Sequence, residues 1–218
     1  RSSPTKKVVY KMADYPKDLK SKLPGEFNKN NILAAVTFAK EEGLDWQAIK
    51  EGVWGFTGLP GRMEFVEDGQ APRKFAVLVD YAFLPQAMEK VYTTLKTLGY
   101  KKLIAVTGAA GGGRDKWKRP LVGNVAAKYC AKVYVTNEDP YDEDPMAIIN
   151  EVAGEHKEFI KILDRREAIR EALASAKRGE GDAVVITGKG AEPIMMGPRG
   201  EKIPWDDREV AREELEKL

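Results

Sequence analysis

Three polar segments of the sequence contain residue types that could hold a small charged ligand. Segment 108–115 is rich in glycine, whose backbone N–H groups can approach an anion closely, and it includes Arg114. An arginine can grip a carboxylate through two hydrogen bonds. Segment 136–144 is rich in carboxylates, and segment 188–192 combines glycines with Glu192. Arg114 therefore suits a carboxylate group of a ligand, and Glu192 with the backbone around it suits an ammonium group.

Each segment also has a purely structural interpretation, which its own residues leave open. Segment 108–115 could be a flexible surface loop in front of a basic helix start. Segment 188–192 could be a tight turn with Lys189 at the surface. The acidic side chains of 136–144 could cap the following helix, which Pro145 at a first helical position supports.

Other ligand classes lack their usual motifs. The sequence contains no G-x-x-x-x-G-K-[ST] phosphate loop. Segment 108–115 matches a dinucleotide fingerprint poorly, because it follows the second predicted strand and no acidic partner for a ribose is evident. His156 has no second histidine or cysteine near it, which argues against a zinc site. The single cysteine, Cys130, excludes a disulfide framework and favours a cytoplasmic setting.

Apolar runs alternate with helical patterns from residue 75 onward, and this alternation predicts the fold. The predicted strands cover 75–79, 103–107, 132–136, 159–163 and 183–187, and the predicted helices cover 85–98, 118–128, 145–152 and 165–178. Continuous apolar strands separated by helices are typical of a parallel sheet with helices on both faces, so we predict a Rossmann-like α/β fold. Ligands of such sheets bind beyond the carboxyl ends of the strands. We therefore expect Asp80 and the three polar segments to lie along one edge.

A Gly/Pro-rich stretch at 55–61 separates this pattern from the N-terminal part of the chain. We place a domain boundary there, which gives units 1–60 and 61–218. In the first unit, Asp45 is the expected N-cap of a short helix. The remaining predicted elements are a possible strand at 8–10, a helix that starts near 30, a helix at 45–53, a hairpin at 194–204 and a helix at 206–218.

The overall composition is that of an ordinary globular protein, with 43% hydrophobic and 32% charged residues among 218. The net charge of +2 gives no electrostatic case for binding nucleic acid or an anionic membrane surface. No apolar run approaches the length of roughly 18 residues that spans a bilayer. We expect a monomer without a nucleic-acid or membrane partner.

Six short motifs, in the same order along the chain, resemble motifs of the Mur ligases, and within that family those of the MurE type. Their positions here, with the family pattern in parentheses, are 27–35 (F-N-x-x-N-x-L-A-A), 61–64 (G-R-M-E), 80–85 (D-Y-A-H-T-P), 111–120 (G-G-x-R-D-x-x-K-R-P), 137–145 (S-D-N-P-R-x-E-D-P) and 188–192 (G-K-G-H-E). The likeness runs from about residue 25 to the C-terminus. One such motif is weak evidence, but six in order are specific.

The resemblance implies a fold and an activity. Residues 61–218 would be the C-terminal, amino-acid-binding domain of a Mur ligase, and 1–60 a helical remnant of its central ATPase domain. Ligases of the MurE type use ATP and magnesium to add the third amino acid to UDP-N-acetylmuramoyl-dipeptide in peptidoglycan synthesis. The phosphate loop and the magnesium ligands would precede Arg1, so we do not expect the isolated chain to turn over ATP.

The resemblance also assigns roles to single residues. Asn28 and Asn31 match asparagines near the ATP adenine, and Arg62 and Asp80 match residues at the nucleotide that we take as the catalytic candidates. The positions that match those holding the incoming amino acid are Arg114, Glu138, Asp139, Tyr141, Gly188 and Glu192.

Three positions depart from the family pattern. Phe83 and Ala191 stand where the family has histidine, and Tyr141 stands where diaminopimelate-specific members have an arginine for the distal carboxylate. Without that arginine, lysine is an alternative to diaminopimelate, because Glu138 and Asp139 could favour a distal ammonium group.

Two other functions remain in view. One is a related amide ligase, such as a cyanophycin synthetase or a folylpolyglutamate synthetase, which the G-R-M-E motif and the motif at 137–145 disfavour. The other is a non-catalytic module that binds an amino acid or regulates a partner, an alternative that the three departures and the missing phosphate loop leave open.

Overall fold

The computed structural model describes residues 7–67, 69, 73–113, 115–176 and 180–218. These residues form two compact units, one that ends at Gly58 and one that begins at Leu59. The division falls within the Gly/Pro-rich stretch in which the sequence predicted a boundary. That the first unit is part of a central ATPase domain stays a prediction.

The first unit is a small helical body with its own apolar core. Helix α1 covers Glu26–Glu41 and helix α2 covers Trp46–Gly55. Helix α2 begins after Asp45, whose carboxylate accepts hydrogen bonds from the backbone N–H groups of Gln47 and Ala48. The buried core residues are Leu19, Ile32, Val36 and Ile49. The predicted strand at 8–10 was wrong, since these residues are exposed and form no ladder.

The second unit is built on a mostly parallel sheet, which confirms the predicted α/β fold. Its strands are β1 (Glu64–Phe65), β2 (Phe75–Asp80), β3 (Leu103–Thr107), β4 (Lys132–Val135), β5 (Ile160–Lys161) and β6 (Asp182–Thr187), in the spatial order β1-β2-β6-β3-β4-β5. Strands β2 to β6 are parallel, and only β1 runs antiparallel, along β2. Strand β1 was not predicted, because two residues are too short a pattern to recognise.

Helices cover both faces of this sheet, as the continuous apolar strands predicted. Helices α3 (Pro85–Thr97), α4 (Arg119–Tyr129) and α5 (Pro145–Ala153) lie side by side on one face. Helices α6 (Arg165–Ala176) and α7 (Asp207–Glu216) lie on the other, where Ala168, Leu173 and Val210 pack against Val79, Val106 and Ile186 of the sheet. A two-stranded hairpin of β7 (Ile194–Met196) and β8 (Lys202–Pro204) precedes α7. Across the described ranges, no helix combines the length and the apolar character that membrane crossing requires.

Candidate functional site at the carboxyl edge of the sheet

Four neighbouring strands end at one edge of the sheet, and the predicted polar segments begin there. Asp80 at the end of β2 is in register with Thr187 at the end of β6, and Thr107 at the end of β3 with Val135 at the end of β4. The hydroxyl of Thr187 lies 3.1 Å from that of Thr107, which joins two of these ends. Parallel pairing therefore brings the segments after β2, β3, β4 and β6 together.

A buried lysine stands at the centre of this edge. The ammonium group of Lys189 donates to both carboxylate oxygens of Asp139 at 2.9 Å and to Oε2 of Glu192 at 2.6 Å. Lys189 is only 1% exposed, so the interpretation of it as a surface residue of a turn was wrong. Burial favours its neutral form, but the hydrogen bonds to Glu192 and Asp139 raise the pKa of Lys189 above its ordinary value. Two carboxylates face one ammonium group, which leaves the cluster with a net negative charge.

Tyr81 connects this cluster to the residue predicted at the nucleotide. Its hydroxyl donates a 2.6 Å hydrogen bond to Oε1 of Glu192, and this bond raises the pKa of Tyr81 to about 12. The guanidinium group of Arg62 lies 4.4 Å from the centre of the Tyr81 ring, in cation–π geometry. Arg62 is exposed, so its charge remains open to an anionic ligand.

Asp80 has a structural role that the sequence did not reveal. Its two carboxylate oxygens accept hydrogen bonds from the backbone N–H groups of Met63 and Ala82, each at 2.7 Å. Burial raises the pKa of Asp80. Met63 adopts a left-handed conformation, with φ of 48°, which the bond to Asp80 helps to hold. Asp80 thus fixes the turn that carries Arg62, and a direct contact of Asp80 with a nucleotide stays a prediction.

Glu138 lies buried beside Gly188. The side chain is 5% exposed, its Oε2 has no hydrogen-bond partner, and burial raises the pKa of Glu138 to about 7. A Cβ added to Gly188 would lie 2.2 Å from that oxygen, and Gly188 has a φ of 115°. Glycine is thus required at 188 both by the backbone and by the approach of the carboxyl group.

The glycine-rich segment lies against the acidic segment, so it is not a free surface loop. The N–H of Gly111 donates to the carbonyl of Asp139 at 2.6 Å, and that of Gly113 donates to Glu143 at 2.7 Å. A Cβ on Gly111 would lie 2.1 Å from the carbonyl oxygen of Pro140. The predicted ligand-binding residue Arg114 falls outside the described residues.

Part of the acidic segment is structural, as its alternative interpretation proposed. Asp144 caps α5 by accepting from the N–H of Met146. Glu143 accepts from the buried guanidinium of Arg119 and from Lys116, and these bonds lower the pKa of Glu143 to about 2. Since Arg119 also donates to the carbonyl of Ala110, it ties the two segments together.

Tyr141 and the two asparagines complete the predicted set. Tyr141 has a φ of 51°, donates its N–H to the carbonyl of Met196, and places its ring beside Gly112. Asn28 and Asn31 lie on α1 of the first unit, where the Asn28 amide donates to the carbonyl of Pro24 at 2.7 Å. Their predicted contact with adenine stays a prediction.

Sequence reasoning missed Lys189 and Tyr81 as members of the site. The available signal was electrostatic, because carboxylates gathered at one buried edge need a cation among them. In the described part of the chain, no group of histidine, cysteine, aspartate and glutamate side chains is arranged to hold a metal ion. The magnesium ligands predicted for the complete enzyme were placed outside this chain.

Comparison with known proteins agrees with this architecture. The family model described as "Mur ligase, glutamate ligase domain" matches residues 61–190. A UDP-N-acetylmuramoyl-L-alanyl-D-glutamate–2,6-diaminopimelate ligase of Syntrophomonas wolfei is 45% identical over 199 residues, which are 89% of this chain and 39% of that protein. A UDP-N-acetylmuramyl-tripeptide synthetase of a Roseiflexus species is 41% identical over 210 residues, or 92% of this chain and 40% of that protein.

A solved structure supports the same assignment. A UDP-N-acetylmuramoyl-L-alanyl-D-glutamate–2,6-diaminopimelate ligase superposes with a TM-score of 0.65 at 33% identity, covering 91% of this chain and 40% of that one. The chain thus spans about two fifths of the length of the relatives it matches. The matched family model covers more than half of the chain, and its position coincides with the sheet that carries the site. The chain therefore belongs to the Mur ligase family.

Proposed function

We propose that this chain is the amino-acid-binding part of an ATP-dependent ligase that adds the third residue to UDP-N-acetylmuramoyl-L-alanyl-D-glutamate in peptidoglycan synthesis. The observation that carries the proposal is the convergence of four predicted residues at the carboxyl edge of the sheet, where Asp139 and Glu192 share the Lys189 ammonium and Glu138 lies against Gly188. The relatives named above carry this activity in their names. Position, charge and family therefore point to the same function.

The chain's own part in the reaction is to bind and orient the incoming amine. ATP supplies the phosphoryl group that activates the carboxylate of the precursor. Tyr81 holds Glu192, and Asp80 holds the turn with Arg62, so the amino-acid side and the nucleotide side of the edge are fixed to each other. An amine held in this way attacks without the entropic cost of a bimolecular encounter, which is where enzymes of this chemistry gain much of their rate.

The charge of the edge favours an amino acid with a second ammonium group. Asp139 and Glu192 share the single positive charge of Lys189, so the pair of carboxylates keeps a net negative charge, and Glu192 is the more exposed of the two. Both diaminopimelate and lysine carry a second ammonium. Tyr141 offers no positive charge for the distal carboxylate of diaminopimelate, which supports lysine, whereas the names of the relatives support diaminopimelate.

The test is amino-acid-dependent phosphate release by the complete protein that contains this chain. The reaction holds ATP, magnesium and UDP-N-acetylmuramoyl-L-alanyl-D-glutamate, and each amino acid is added separately, with mass spectrometry of the nucleotide product. We expect release and a product one residue longer with lysine or diaminopimelate. Binding of the amino acid with no phosphate release would instead identify a non-catalytic module, and activity only with another acceptor would identify a related amide ligase.

A further inference from the structure

We propose that Arg165 is a positioning residue of the amino-acid site. It joins the segments that follow β4 and β6 through hydrogen bonds to the backbone at their starting points. The meaning for amino-acid binding rests on the proposed function. The effect of Arg165 on the geometry of the two segments is independent of the proposed function. The positioning role and the proposed function can therefore be disproved separately.

The first step of the argument is where the Arg165 guanidinium donates its hydrogen bonds. Arg165 is the first residue of α6 and is 3% exposed. One terminal nitrogen donates to the carbonyl of Asn137 at 3.2 Å, and the other donates to the carbonyl of Thr187 at 2.9 Å. These two carbonyls belong to the residues directly before Glu138 and Gly188. One side chain thus connects the starting points of both ligand-facing segments.

The second step is that the guanidinium is itself held in a fixed orientation. Its Nε donates to Oδ1 of Asp207 at 2.8 Å, and a terminal nitrogen donates to Oδ2 at 2.7 Å. Asp207 is fully buried and also accepts from the indole N–H of Trp205. A two-point arginine–carboxylate pair fixes the plane of the guanidinium. The carbonyls of Asn137 and Thr187 are therefore held at a defined separation.

The third step is that stability alone does not account for this pair. Burying two charges costs desolvation energy that their attraction only partly offsets, and apolar residues of similar volume often do as well or better. The pair is placed where two carbonyls at the end of the sheet need donors and where the site loops begin. A geometric role explains both features.

Arg165 also provides a positive charge to the buried carboxyl group of Glu138. The groups that face Glu138 are Arg165 on α6, Asp139 next to it, Lys189 after β6 and Asp207 on α7. Arg165 and Lys189 lower the pKa of Glu138, whereas Asp139 and Asp207 raise it. Arg165 therefore has two separable effects, one through its charge and one through its hydrogen bonds to the carbonyls.

Substitution with lysine separates these effects. Lysine keeps the positive charge, but its single ammonium cannot reproduce the planar fork that reaches Asp207 and both carbonyls. The matched control is Arg166→Lys on the same helix, because Arg166 is 39% exposed, pairs with the exposed Glu213 and the buried Glu214, and, within the described residues, donates to neither site segment. Arg165→Met removes both the charge and the hydrogen bonds.

The experiment is NMR on the chain, with amide exchange and the carboxyl titration of Glu138 as readouts. In Arg165→Lys we expect at least tenfold faster exchange at Gly188 and Glu138 relative to the amide of Ala105 in β3, and a Glu138 midpoint near the native one. In Arg165→Met we expect the same faster exchange and a raised midpoint. Arg166→Lys should change neither. Equal relative exchange in Arg165→Lys and Arg166→Lys would overturn the proposal.

The effect of Arg165 on amino-acid binding is measured by steady-state kinetics of the complete protein. Arg165→Lys should raise the KM for the amino acid at least tenfold, with the KM for ATP unchanged, and Arg166→Lys should leave both at their native values. An unchanged amino-acid KM in Arg165→Lys would contradict the positioning role. If the native protein ligates no amino acid, the proposed function fails, while the exchange and titration results still decide whether Arg165 sets the geometry of the two segments.

Discussion

The Lys189 ammonium lies 2.9 Å from each carboxylate oxygen of Asp139, and this aspartate shares the cation with Glu192. Oδ1 of Asp139 also accepts the backbone N–H of Met196. The sequence hypothesis that Glu138 and Asp139 together attract a distal ammonium group stays a prediction. Glu192 shares the same lysine and is more exposed than Asp139, so we expect Glu192 to be the carboxylate that a ligand reaches.

Replacing Lys189 with methionine should destabilise the second unit strongly. The variant leaves Asp139 and Glu192 without their shared cation, and breaking a buried ion pair by removal of one partner typically costs about 3 to 5 kcal/mol. The measurement is urea unfolding of the chain followed by circular dichroism.

The matched control for Lys189 is Lys128→Met. Lys128 pairs with Glu89 at 2.9 Å, but its side chain is 63% exposed, and solvent screening leaves such an exposed pair with little effect on stability. If Lys189→Met and Lys128→Met unfold at the same urea concentration, the Lys189 cluster does not stabilise the fold as described.

Replacing Gly188 with alanine should disturb Glu138 as well as the backbone. Gly99→Ala is the control, because Gly99 has a φ of 96° and a Cβ added there would meet no atom within 4 Å, whereas at Gly188 the added Cβ meets Glu138 at 2.2 Å. Both variants bear the strain of a positive φ, about 1 to 3 kcal/mol. Differential scanning calorimetry should show a larger loss of thermal stability for Gly188→Ala than for Gly99→Ala. Equal losses of thermal stability would mean that the Glu138 side chain moves away at no cost in free energy.

Glu138→Gln should become more stable than the native chain as the pH rises. The pKa of Glu138 is raised by burial from 4.5 to about 7, so its contribution to stability is fully present below pH 4.5 and is lost as the pH rises through about 7. Glutamine resembles the protonated acid, so the two proteins should be alike near pH 4. At pH 8 the free energy of unfolding of the variant should exceed that of the native chain by on the order of 3 kcal/mol.

Glu143→Gln should show the opposite pH dependence of stability in the same measurement. Its hydrogen bonds with Arg119 lower the pKa of Glu143 to about 2, so its stabilising effect is present above pH 4.5 and is lost as the pH falls towards 2. This variant should be less stable than the native chain at neutral pH. Parallel stability curves for the Glu138→Gln variant and the native chain would contradict the raised pKa of Glu138.

The pattern of the sequence was sufficient for the sheet because its central parallel strands are buried on both faces and are therefore largely apolar. Strand β6, for example, is buried along its entire length from Asp182 to Thr187. The predicted strand at 159–163 shortens to Ile160–Lys161, since at the edge of the sheet only these residues pair with β4. The topology rule for parallel sheets then predicted that the polar segments after these strands meet at one edge, which the register of the strand ends confirms.

The charge pairing within the site could not be derived from the sequence. Lys189 looks like a turn residue until the Asp139 segment is placed beside it by the order of the strands. Arg165 and Asp207 are separated by 42 residues, and only the packing of α6 and α7 on one face brings them together. Local patterns predict elements well but give no information on which distant charges will meet.

Introducing arginine at position 141 should shift the amino-acid preference of the complete ligase towards diaminopimelate. Tyr141 lies beside the glycine-rich segment and has no charge to offer a distal carboxylate. A charge-assisted hydrogen bond from a new guanidinium should improve KM for diaminopimelate relative to lysine by roughly tenfold. Tyr141→Phe is the control, since it changes no charge at this position. An unchanged ratio in Tyr141→Arg would place the distal group elsewhere.

The most direct test of the proposed amino-acid site is the steady-state kinetics of Glu192→Gln in the complete ligase. Glu192 accepts from Tyr81 and Lys189 and is more exposed than Asp139, the other carboxylate bound to Lys189. We predict a KM for the amino acid that rises at least tenfold, with the KM for ATP within twofold of the native value. A native KM for the amino acid in Glu192→Gln would contradict the assignment of this edge as the amino-acid site.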